Sequence, residues 1–395
     1  MRSLDGGLPA TSVTAVPAQD RRRAILCVVG ARPNYMKMAP LLRALAMLPQ
    51  PPRAILVHTG QHYDPALKDQ LFDDLRLPPP DENLDVRSGS HAVQTAEVMK
   101  RFEPLLDRYD PACVVVVGDV NSTLACSLVA AKRCVPVVHV EAGLRSYDRT
   151  MPEEINRVLT DQISDLLFTT DPQAHVNLAL EGISGDHVVF AGNLMIDSLH
   201  DALPRAVTPQ VSLAACGVDA APFLEGHGFA LVTLHRPSNV DDRAVLTELV
   251  ELLRSVSERV ALVWPMHPRA HAQLERFDLL VRLRRTRIAL LPPQGYLEMV
   301  GLMCAARLAI TDSGGVQEET TALGIPCLTL RDNTERPITV TQGSNRLMKR
   351  DVIAMHEALD DILSGPVRPR PAPEGWDGRA GERIAGHLSG WLSSR

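Results

Sequence analysis

Short apolar runs rich in β-branched residues recur through the first half of the chain. They cover residues 24–29, 54–58, 113–117, 135–140 and 166–169, and segments with helical spacing, such as 40–47 and 122–132, lie between them. A strand that is covered on both faces of a parallel sheet is apolar along its whole length, whereas a half-exposed strand alternates. The pattern therefore predicts an α/β domain built on a parallel sheet.

A second series of the same kind begins at residue 229. Strand-like runs at 229–233, 261–264, 288–290, 308–311 and 327–330 alternate with helical segments such as 243–257. Between the two series, residues 203–228 are rich in Pro, Ala and Gly and show little periodicity, which places a domain boundary near 191–225. A chain of 395 residues is also longer than one ordinary hydrophobic core can serve. We therefore expect two doubly wound, Rossmann-like domains.

Composition narrows the class of protein. Hydrophobic residues make up 45% of the chain and charged residues 22%, as in well-packed globular proteins. The net charge of −6, without a long Lys/Arg run, argues against a nucleic-acid partner. No apolar signal region is found in residues 1–20, and no run of 18 apolar residues follows, so neither secretion nor membrane spanning is expected. Seven cysteines without any C-x-x-C pair indicate reduced thiols and a cytoplasmic location.

In open α/β sheets, ligands bind at the carboxyl ends of the strands. The first predicted strand ends in the run from Gly30 to Lys37, which places Arg32 and Lys37 near the start of a helix. Such a turn can serve a phosphate, since the helix dipole favours an anion there, or it can be a plain strand-to-helix connection. The run lacks the glycine spacing of dinucleotide-binding and Walker-type loops, so neither NAD nor a Walker-type nucleotide site is indicated.

Three carboxylates follow strands or open a helix in the first half. Asp119 comes after the run 113–117, Glu141 after 135–140, and Glu153 opens a helical segment. Asp119 could instead cap a helix, and Glu153 could simply complement a helix dipole. Glu141 ends a buried strand, where a carboxylate is costly unless it is paired, so a site or an arginine partner is expected. Carboxylates crowded at one sheet edge are suited to general acid/base chemistry.

The second half offers a basic and a phosphate-binding segment. His235 follows the first strand of the second series and is interpreted as a cleft residue, with a structural role as the alternative. Further along, a strand runs into Ser313, Gly314 and Gly315 and then a helix, so free backbone N–H groups and a hydroxyl can cradle a phosphate. Glu319 could accept hydrogen bonds from ribose, and Arg336 could neutralise a pyrophosphate.

Metal chemistry is not indicated. His139 and Glu141 form an H-x-E pair like that of zinc deaminases, but Cys327 has no second cysteine three residues on. The H-E-x-x-H, G-x-S-x-G and EF-hand spacings are also missing from the sequence. We therefore expect neither a metal ion nor another cofactor.

Eight motifs, taken in order and spacing, resemble the non-hydrolysing UDP-N-acetylglucosamine 2-epimerase family. They span residues 25–348 and read G-A-R-P-N-Y-M-K, T-G-Q-H-Y-D, G-D-V-N-S-T-L, H-V-E-A-G-L-R-S, P-E-E-I-N-R, T-L-H-R-P, D-S-G-G-V-Q-E-E and R-D-N-T-E-R-P. The resemblance implies two Rossmann-like domains of the glycosyltransferase-B type, with the nucleotide held mainly by the second. It divides the chain into a disordered extension (1–20), an N-terminal domain (21–195), a C-terminal domain (196–370) and a final helix (371–395) that packs back on the first domain.

For the activity, the resemblance implies anti elimination of UDP from UDP-N-acetylglucosamine, giving 2-acetamidoglucal, and re-addition of UDP with the C2 proton on the other face. The product, UDP-N-acetylmannosamine, would supply surface polysaccharide synthesis, and the enzyme would be a homodimer without a cofactor. Carried over by motif, the acid/base group would be Asp119, Glu141, Glu153 and His235. The nucleotide would be held by Arg32, Lys37, Gln294, Ser313, Gly314, Gly315, Glu319 and Arg336.

The chain also departs from the best-known bacterial members. Tyr63 and Asp64 replace a basic, glutamine-containing run, and the stretch between Arg145 and Pro152 is shorter. Those segments help to form an activating UDP-N-acetylglucosamine site in regulated members, so we expect no such activation here. The Q-H-Y-D and S-Y-D-R-T-M-P-E-E segments are similar to those of archaeal members and of epimerases of UDP-diacetamido-sugar uronates, which leaves the sugar open. A glycosyltransferase and a non-catalytic sugar-nucleotide sensor are the alternatives from other classes.

Overall fold

A computed structural model of the protein describes residues 24–60, 65–365 and 371–395. The expected disordered extension at residues 1–20 and the motif residues 61–64 lie outside these ranges. The helices are α1 (Arg32–Ala46), α2 (Pro65–Leu75), α3 (His91–Tyr109), α4 (Asn121–Lys132), α5 (Pro152–Gln162), α6 (Pro172–Leu180), α7 (Leu194–Ala202), α8 (Pro209–Ala215), α9 (Ala221–Leu224), α10 (Pro237–Val240), α11 (Arg243–Ser257), α12 (Pro268–Arg276), α13 (Leu280–Leu283), α14 (Tyr296–Ala305), α15 (Gly314–Leu323), α16 (Ile338–Thr341), α17 (Val352–Ser364) and α18 (Ala380–Ser393).

The strands form two separate parallel sheets. The first contains β1 (Ile25–Val29), β2 (Ala54–His58), β3 (Glu82–Asn83), β4 (Cys113–Val117), β5 (Val137–Ala142), β6 (Leu166–Thr169) and β7 (Val188–Phe190), in the spatial order β3-β2-β1-β4-β5-β6-β7. The second contains β8 (Phe229–Thr233), β9 (Ala261–Pro265), β10 (Ile288–Leu291), β11 (Leu308–Thr311), β12 (Cys327–Thr329) and β13 (Asn345–Leu347), in the order β10-β9-β8-β11-β12-β13. The strand order reverses beside β1 and beside β8, where open α/β folds bind ligands.

Helices cover both faces of each sheet, and this explains the continuous apolar runs. Along β1, Ile25, Cys27 and Val29 belong to one hydrophobic core, whereas Leu26 and Val28 belong to another on the opposite face. Successive side chains of a strand point to opposite faces, so both sets must be apolar when both faces are covered. The predicted fold class of two doubly wound, Rossmann-like domains is confirmed.

Helices α7 and α18 connect the two halves. The chain leaves the first sheet at β7 and enters α7, which packs against α1 in the first domain and α15 in the second. Helix α18, at the end of the chain, returns to pack against α1. The Asp197 carboxylate of α7 accepts hydrogen bonds from the backbone N–H groups of Ala380 and Gly381, at 3.1 and 2.7 Å, and so caps the start of α18.

Most of the strands inferred from apolar runs agree with the structure, and the differences have simple causes. The run at 135–140 gives a strand at Val137–Ala142, shifted toward the polar residue Glu141. Strands β3, β7 and β13 have two or three residues each, too few for a run to be visible. Within the described ranges, we find no helix long and apolar enough to cross a membrane.

Candidate active site

Glu141 lies at the carboxyl end of β5, on the side where the two domains meet. Its side chain is buried, and Lys37 Nζ lies 2.6 Å from its Oε1 atom. Arg336 reaches the same oxygen from the second domain, with its Nη2 atom at 3.5 Å. Lys37 reaches Glu141 because α1 begins directly after β1, which is separated from β5 only by β4. The site thus places a buried carboxylate between cations of both domains.

Asp119 follows β4, the strand next to β5, and pairs with an arginine of α5. Arg157 donates through Nε and Nη2 to Asp119 Oδ2, at 2.9 and 2.7 Å. Burial alone would raise the pKa of Asp119, but Arg157, Lys37 and Arg336 lower it below the usual range of an aspartate. The alternative role as a helix cap does not apply, because Val120 is the N-cap residue of α4. Asp119 is therefore held as a carboxylate near Lys37 and Arg336, the cations that contact Glu141.

Glu153 and Glu154 occupy different faces of α5. Glu153 is exposed and faces the second domain. Burial lowers the pKa of Arg236 in that domain, and the negative charge of Glu153 is one of those that oppose this shift. Glu154 is buried, accepts hydrogen bonds from the backbone N–H groups of Ser146 and Tyr147, and pairs with Arg157 at 2.5 Å. Glu154 thus supports the arginine that holds Asp119, whereas Glu153 is exposed on the side of the second domain.

His235 lies at the carboxyl end of β8 and is held by Asp312. Its Nδ1 atom lies 3.0 Å from Asp312 Oδ1, and its own backbone N–H donates to the same carboxylate at 3.1 Å. Burial would raise the pKa of Asp312, but hydrogen bonds from His235 and Asn239 keep it below the usual value. The His235 side chain is 38% exposed. Its Nε2 atom is therefore the ring nitrogen left to meet a ligand.

The predicted phosphate loop begins helix α15. Ser313 is the N-cap residue, and its hydroxyl accepts from the backbone N–H of Val316 at 3.5 Å. Arg336 is buried beside the loop: its Nε lies 2.7 Å from Glu318 Oε1 and its Nη1 lies 2.6 Å from Glu335 Oε1. A Cβ atom at Gly314 would lie 2.9 Å from Arg336 Nη1, so the loop approaches the guanidinium closely only because this residue is glycine. The helix start, with its free backbone N–H groups, and Arg336, which is paired with Glu318 and Glu335, lie together at this end of the cleft.

Glu319 is buried one turn into α15. The Tyr296 hydroxyl donates to Glu319 Oε1 at 3.0 Å. Burial raises the pKa of Glu319 to about 7, although the Tyr296 hydrogen bond and the positive charge of Arg32 oppose the shift. The exposed Arg32 of the first domain is therefore close enough to influence Glu319 across the cleft.

Comparison with known proteins shows the family of this chain. The family model for UDP-N-acetylglucosamine 2-epimerase matches residues 49–389. A UDP-N-acetylglucosamine 2-epimerase from Methanococcus maripaludis is 38% identical over 85% of this chain and 90% of its own length. The chain belongs to the UDP-N-acetylglucosamine 2-epimerase family. The resemblance inferred from the eight motifs is confirmed.

Two further similar proteins cover nearly the whole chain. The UDP-2,3-diacetamido-2,3-dideoxy-D-glucuronate 2-epimerase of Pseudomonas aeruginosa is 40% identical over 92% of this chain and 99% of its own length. The crystal structure of the Methanocaldococcus jannaschii UDP-GlcNAc 2-epimerase in complex with UDP-GlcNAc and UDP superimposes with a TM-score of 0.84, at 39% identity, over 93% of this chain and 99% of that chain. Family membership thus rests on nearly the whole chain.

The structure brings most of the residues inferred by family motif to one cleft. Around it lie Arg32, Lys37, Asp119, Glu141, Glu153, His235, Ser313, Gly314, Gly315, Glu319 and Arg336. Gln294 is half-buried just before α14, where its amide donates to the Pro292 carbonyl at 2.9 Å and lies 3.5 Å from Cys216 Sγ. Its place in nucleotide binding stays a prediction.

Several side chains that hold the predicted site residues in place were not among the residues predicted from the sequence. Glu154 and Arg157 fix Asp119, Asp312 fixes His235, and Glu318 and Glu335 fix Arg336. A signal was present in two cases, since Asp312 directly follows a buried strand and Glu318 adjoins Glu319 in the same helix. Which of two adjacent carboxylates turns inward depends on how the helix is rotated about its axis, and this is set by tertiary packing.

Proposed function

We propose that the protein is a UDP-N-acetylglucosamine 2-epimerase that interconverts UDP-N-acetylglucosamine and UDP-N-acetylmannosamine. The observation that carries the proposal is the pairing of Glu141 with Lys37 and Arg336, which joins an acid/base carboxylate of the first domain to the phosphate end of the second. A nucleotide sugar bound along the cleft would have its sugar at the carboxylates and its pyrophosphate at α15.

The reaction needs a group that moves the weakly acidic C2 proton while the anomeric C–O bond breaks. Asp119 and Glu141 end neighbouring strands, and Glu153 faces the same cleft from α5. In the first half-reaction, one group removes the C2 proton and UDP departs, giving 2-acetamidoglucal. In the second, UDP adds back at C1 and C2 receives a proton on the opposite face. Inversion at one carbon requires groups on both faces, which a set of several carboxylates provides.

Departure of UDP requires stabilisation of charge on the pyrophosphate. The start of α15 offers the backbone N–H groups of Gly314 and Gly315 and the Ser313 hydroxyl, and Arg336 lies beside them. His235 and Arg32 add donors from the opposite sides of the cleft. Donors that are already in place stabilise developing charge without reorganisation, and in many enzymes this effect accounts for most of the rate enhancement. Glu319 would accept hydrogen bonds from the ribose hydroxyls.

The second candidate substrate is a UDP-diacetamido-sugar uronate. It is favoured by the P. aeruginosa relative, whose identity of 40% over 92% of this chain matches that of the UDP-N-acetylglucosamine epimerases. Both substrates carry an acetamido group at C2, and both lose UDP as the leaving group. The same carboxylates and phosphate loop would therefore serve either substrate. Parallel assays with the two sugar nucleotides distinguish them through the ratio of kcat/KM.

We also propose that the enzyme is a cytoplasmic homodimer. All seven cysteines are free thiols, as expected in a reducing compartment.

Between α3 and α5, Ile155 lines a groove of about 400 Å³ together with Ala92, Ala96 and Met99. Ile155 and Leu159, one helical turn apart, are 41% and 46% exposed, and an apolar surface of this kind suits a second copy. Light scattering of the wild type and of Leu159→Glu tests the assembly: a monomeric wild type contradicts it.

The test of the activity is incubation with UDP-N-acetylglucosamine in D2O, followed by NMR of the recovered sugar nucleotides. Epimerisation by elimination predicts deuterium at C2 of both epimers, and no acceptor is needed. A glycosyltransferase, the rival class, would transfer the sugar to an added acceptor and leave C2 protonated. A sugar-nucleotide sensor would bind UDP-N-acetylglucosamine without either change.

A further inference from the structure

A buried histidine and aspartate lie directly behind the two strand-end carboxylates. His139 of β5 and Asp161 of α5 are both fully buried, and His139 Nδ1 lies 2.6 Å from Asp161 Oδ1. The other ring nitrogen, Nε2, lies 2.9 Å from the carbonyl oxygen of Gly118, the residue before Asp119. The other carboxylate oxygen of Asp161 accepts from the backbone N–H of Gly143 at 3.1 Å. One side-chain pair therefore joins the backbone beside Asp119 to the backbone beside Glu141.

Every polar side-chain atom of this pair has a hydrogen-bonding partner. A carbonyl oxygen only accepts, so His139 donates to the Gly118 carbonyl through Nε2. Burial alone would raise the pKa of Asp161, but His139 and Arg145 lower it below the usual range. Arg145 Nη2 lies 2.7 Å from the Asp161 oxygen that also accepts from Gly143. His139, Arg145 and the Gly143 backbone thus surround the Asp161 side chain, and both of its oxygens are used.

The backbone that this pair holds is unusual. Gly118, Glu141 and Gly143 all have left-handed conformations, with φ of 66°, 70° and 80°. For Glu141, which has a Cβ atom, this conformation costs roughly 1–2 kcal/mol. The register between β5 and β6 also shifts between Val140 and Ala142. A bulge of this kind redirects a side chain out of the sheet, and it persists only where the surroundings hold it.

We propose that His139 and Asp161 are positioning residues that hold Glu141 and Asp119 in register for proton transfer at C2. This inference rests on the proposed function, because it assigns the two carboxylates to C2. His139 holds the carbonyl that precedes Asp119, and Asp161 holds the N–H group two residues after Glu141. Neither residue contacts the cleft, so they act on the reaction only through the backbone. A loss of this bridge changes carboxylate geometry while the nucleotide site on α15 stays intact.

The test uses His139→Gln and Asp161→Asn, with Glu181→Gln as the matched control. Glu181 pairs bidentately with Arg145, at 2.7 and 2.6 Å, so the control disturbs the same ionic cluster without touching Gly118 or Gly143. Positioning predicts that kcat falls by roughly 10- to 100-fold in the two test variants, while KM and the Kd for UDP change by less than about threefold. Glu181→Gln should lower Tm and keep kcat within about twofold of the wild type.

The double variant His139→Gln with Asp161→Asn tests the hydrogen-bonded connection itself. A glutamine amide can donate to the Gly118 carbonyl and accept from an asparagine, whose own oxygen can accept from Gly143. We expect kcat at least about threefold above that of His139→Gln alone, because the bridge is rebuilt without charge. Equal kcat losses in the test and control variants, or a parallel loss of UDP affinity, overturn the proposal.

Hydrogen exchange measured by mass spectrometry separates a failure of this inference from a failure of the proposed function. The bridge predicts faster exchange in peptides covering 115–121 and 139–145 in Asp161→Asn, and unchanged exchange there in Glu181→Gln. If the wild type fails to exchange the C2 proton, the proposed function fails while this result still stands. If the test variants do not fold, hydrogen exchange of the wild type replaces them: a Gly143 amide that exchanges as fast as a solvent-exposed amide overturns the proposal.

Discussion

Lys37 and Glu141 form a buried ion pair: Nζ lies 2.6 Å from Oε1, and each side chain is only 4% exposed. A carboxylate in this environment needs a cation, because an unpaired buried charge is very costly. Arg145 and Arg157 follow Glu141 in the sequence and could have supplied this cation, but Arg145 pairs with Asp161 and Glu181, and Arg157 pairs with Asp119 and Glu154. Glu141 therefore has its cation partners in Lys37 and Arg336, one from each domain.

The first prediction is that Glu141→Gln loses both turnover and stability. Removing the acid/base group should lower kcat by about 100-fold or more. Leaving Lys37 buried without its carboxylate should lower the free energy of unfolding by about 3 kcal/mol. Steady-state kinetics and urea unfolding measure the two effects on the same preparation.

The double variant Glu141→Gln with Lys37→Met separates those effects. Replacing the stranded ammonium by an apolar side chain of similar length should restore most of the stability, since a buried ion pair contributes little net free energy compared with an apolar pair. Turnover should stay as low as in Glu141→Gln. A Glu141→Gln variant that unfolds early and yet retains near-normal turnover per folded molecule would remove Glu141 from the chemistry.

The second prediction compares the two glycines at the start of α15. A Cβ atom at Gly314 would lie 2.8 Å from Glu335 Oε1 and 2.9 Å from Arg336 Nη1, so Gly314→Ala must displace this ion pair. At Gly315, the nearest atom is Met195 Cε at 3.3 Å, the end of a flexible side chain. We expect Gly314→Ala to weaken UDP binding by about tenfold, or about 1.4 kcal/mol, and Gly315→Ala to weaken it less. Calorimetric titration decides, and equal losses would contradict this account of Arg336.

The strand ends were predictable from sequence because parallel strands align their carboxyl ends at one edge of the sheet. Asp119 and Glu141 could be placed together from the sequence alone, since each follows a buried apolar run. The partner of Glu141 could not, because Lys37 meets it through the order β1-β4-β5, a property of topology rather than of local sequence. Glu153 and Glu154 show the same limit: adjacent positions on a helix differ by about 100° in direction.

The third prediction concerns cofactors. The sequence contains no dinucleotide fingerprint and no metal-ligand spacing, and elimination of UDP is redox-neutral overall. We expect turnover to survive prolonged incubation with EDTA and to need no added NAD. The control is a known zinc enzyme treated in parallel. Loss of turnover in EDTA, restored by one divalent cation, would count against the proposed mechanism.

The fourth prediction is that UDP binding depends on the ionisation of Glu319. Its pKa is raised to about 7 by burial, against the Tyr296 hydrogen bond and the charge of Arg32. Below pH 7 the neutral acid predominates, and above it the carboxylate, which accepts hydrogen bonds from two ribose hydroxyls more strongly. UDP affinity should therefore rise by up to roughly tenfold between pH 6 and pH 8. Glu319→Gln should lose this dependence while retaining any titration that belongs to the phosphates of UDP.

The same group has an opposite effect on folding, which provides an independent check. A carboxyl group whose pKa is raised in the folded protein stabilises the fold at low pH, and this contribution is lost as the pH rises through the folded value. For Glu319, the contribution is lost between its ordinary value of 4.5 and about 7. The unfolding free energy of the wild type, measured relative to Glu319→Gln, should therefore decrease over this interval as UDP affinity begins to increase. A constant difference between the two proteins would show that the buried carboxyl group does not titrate there, and the pH dependence of UDP binding would then need another source.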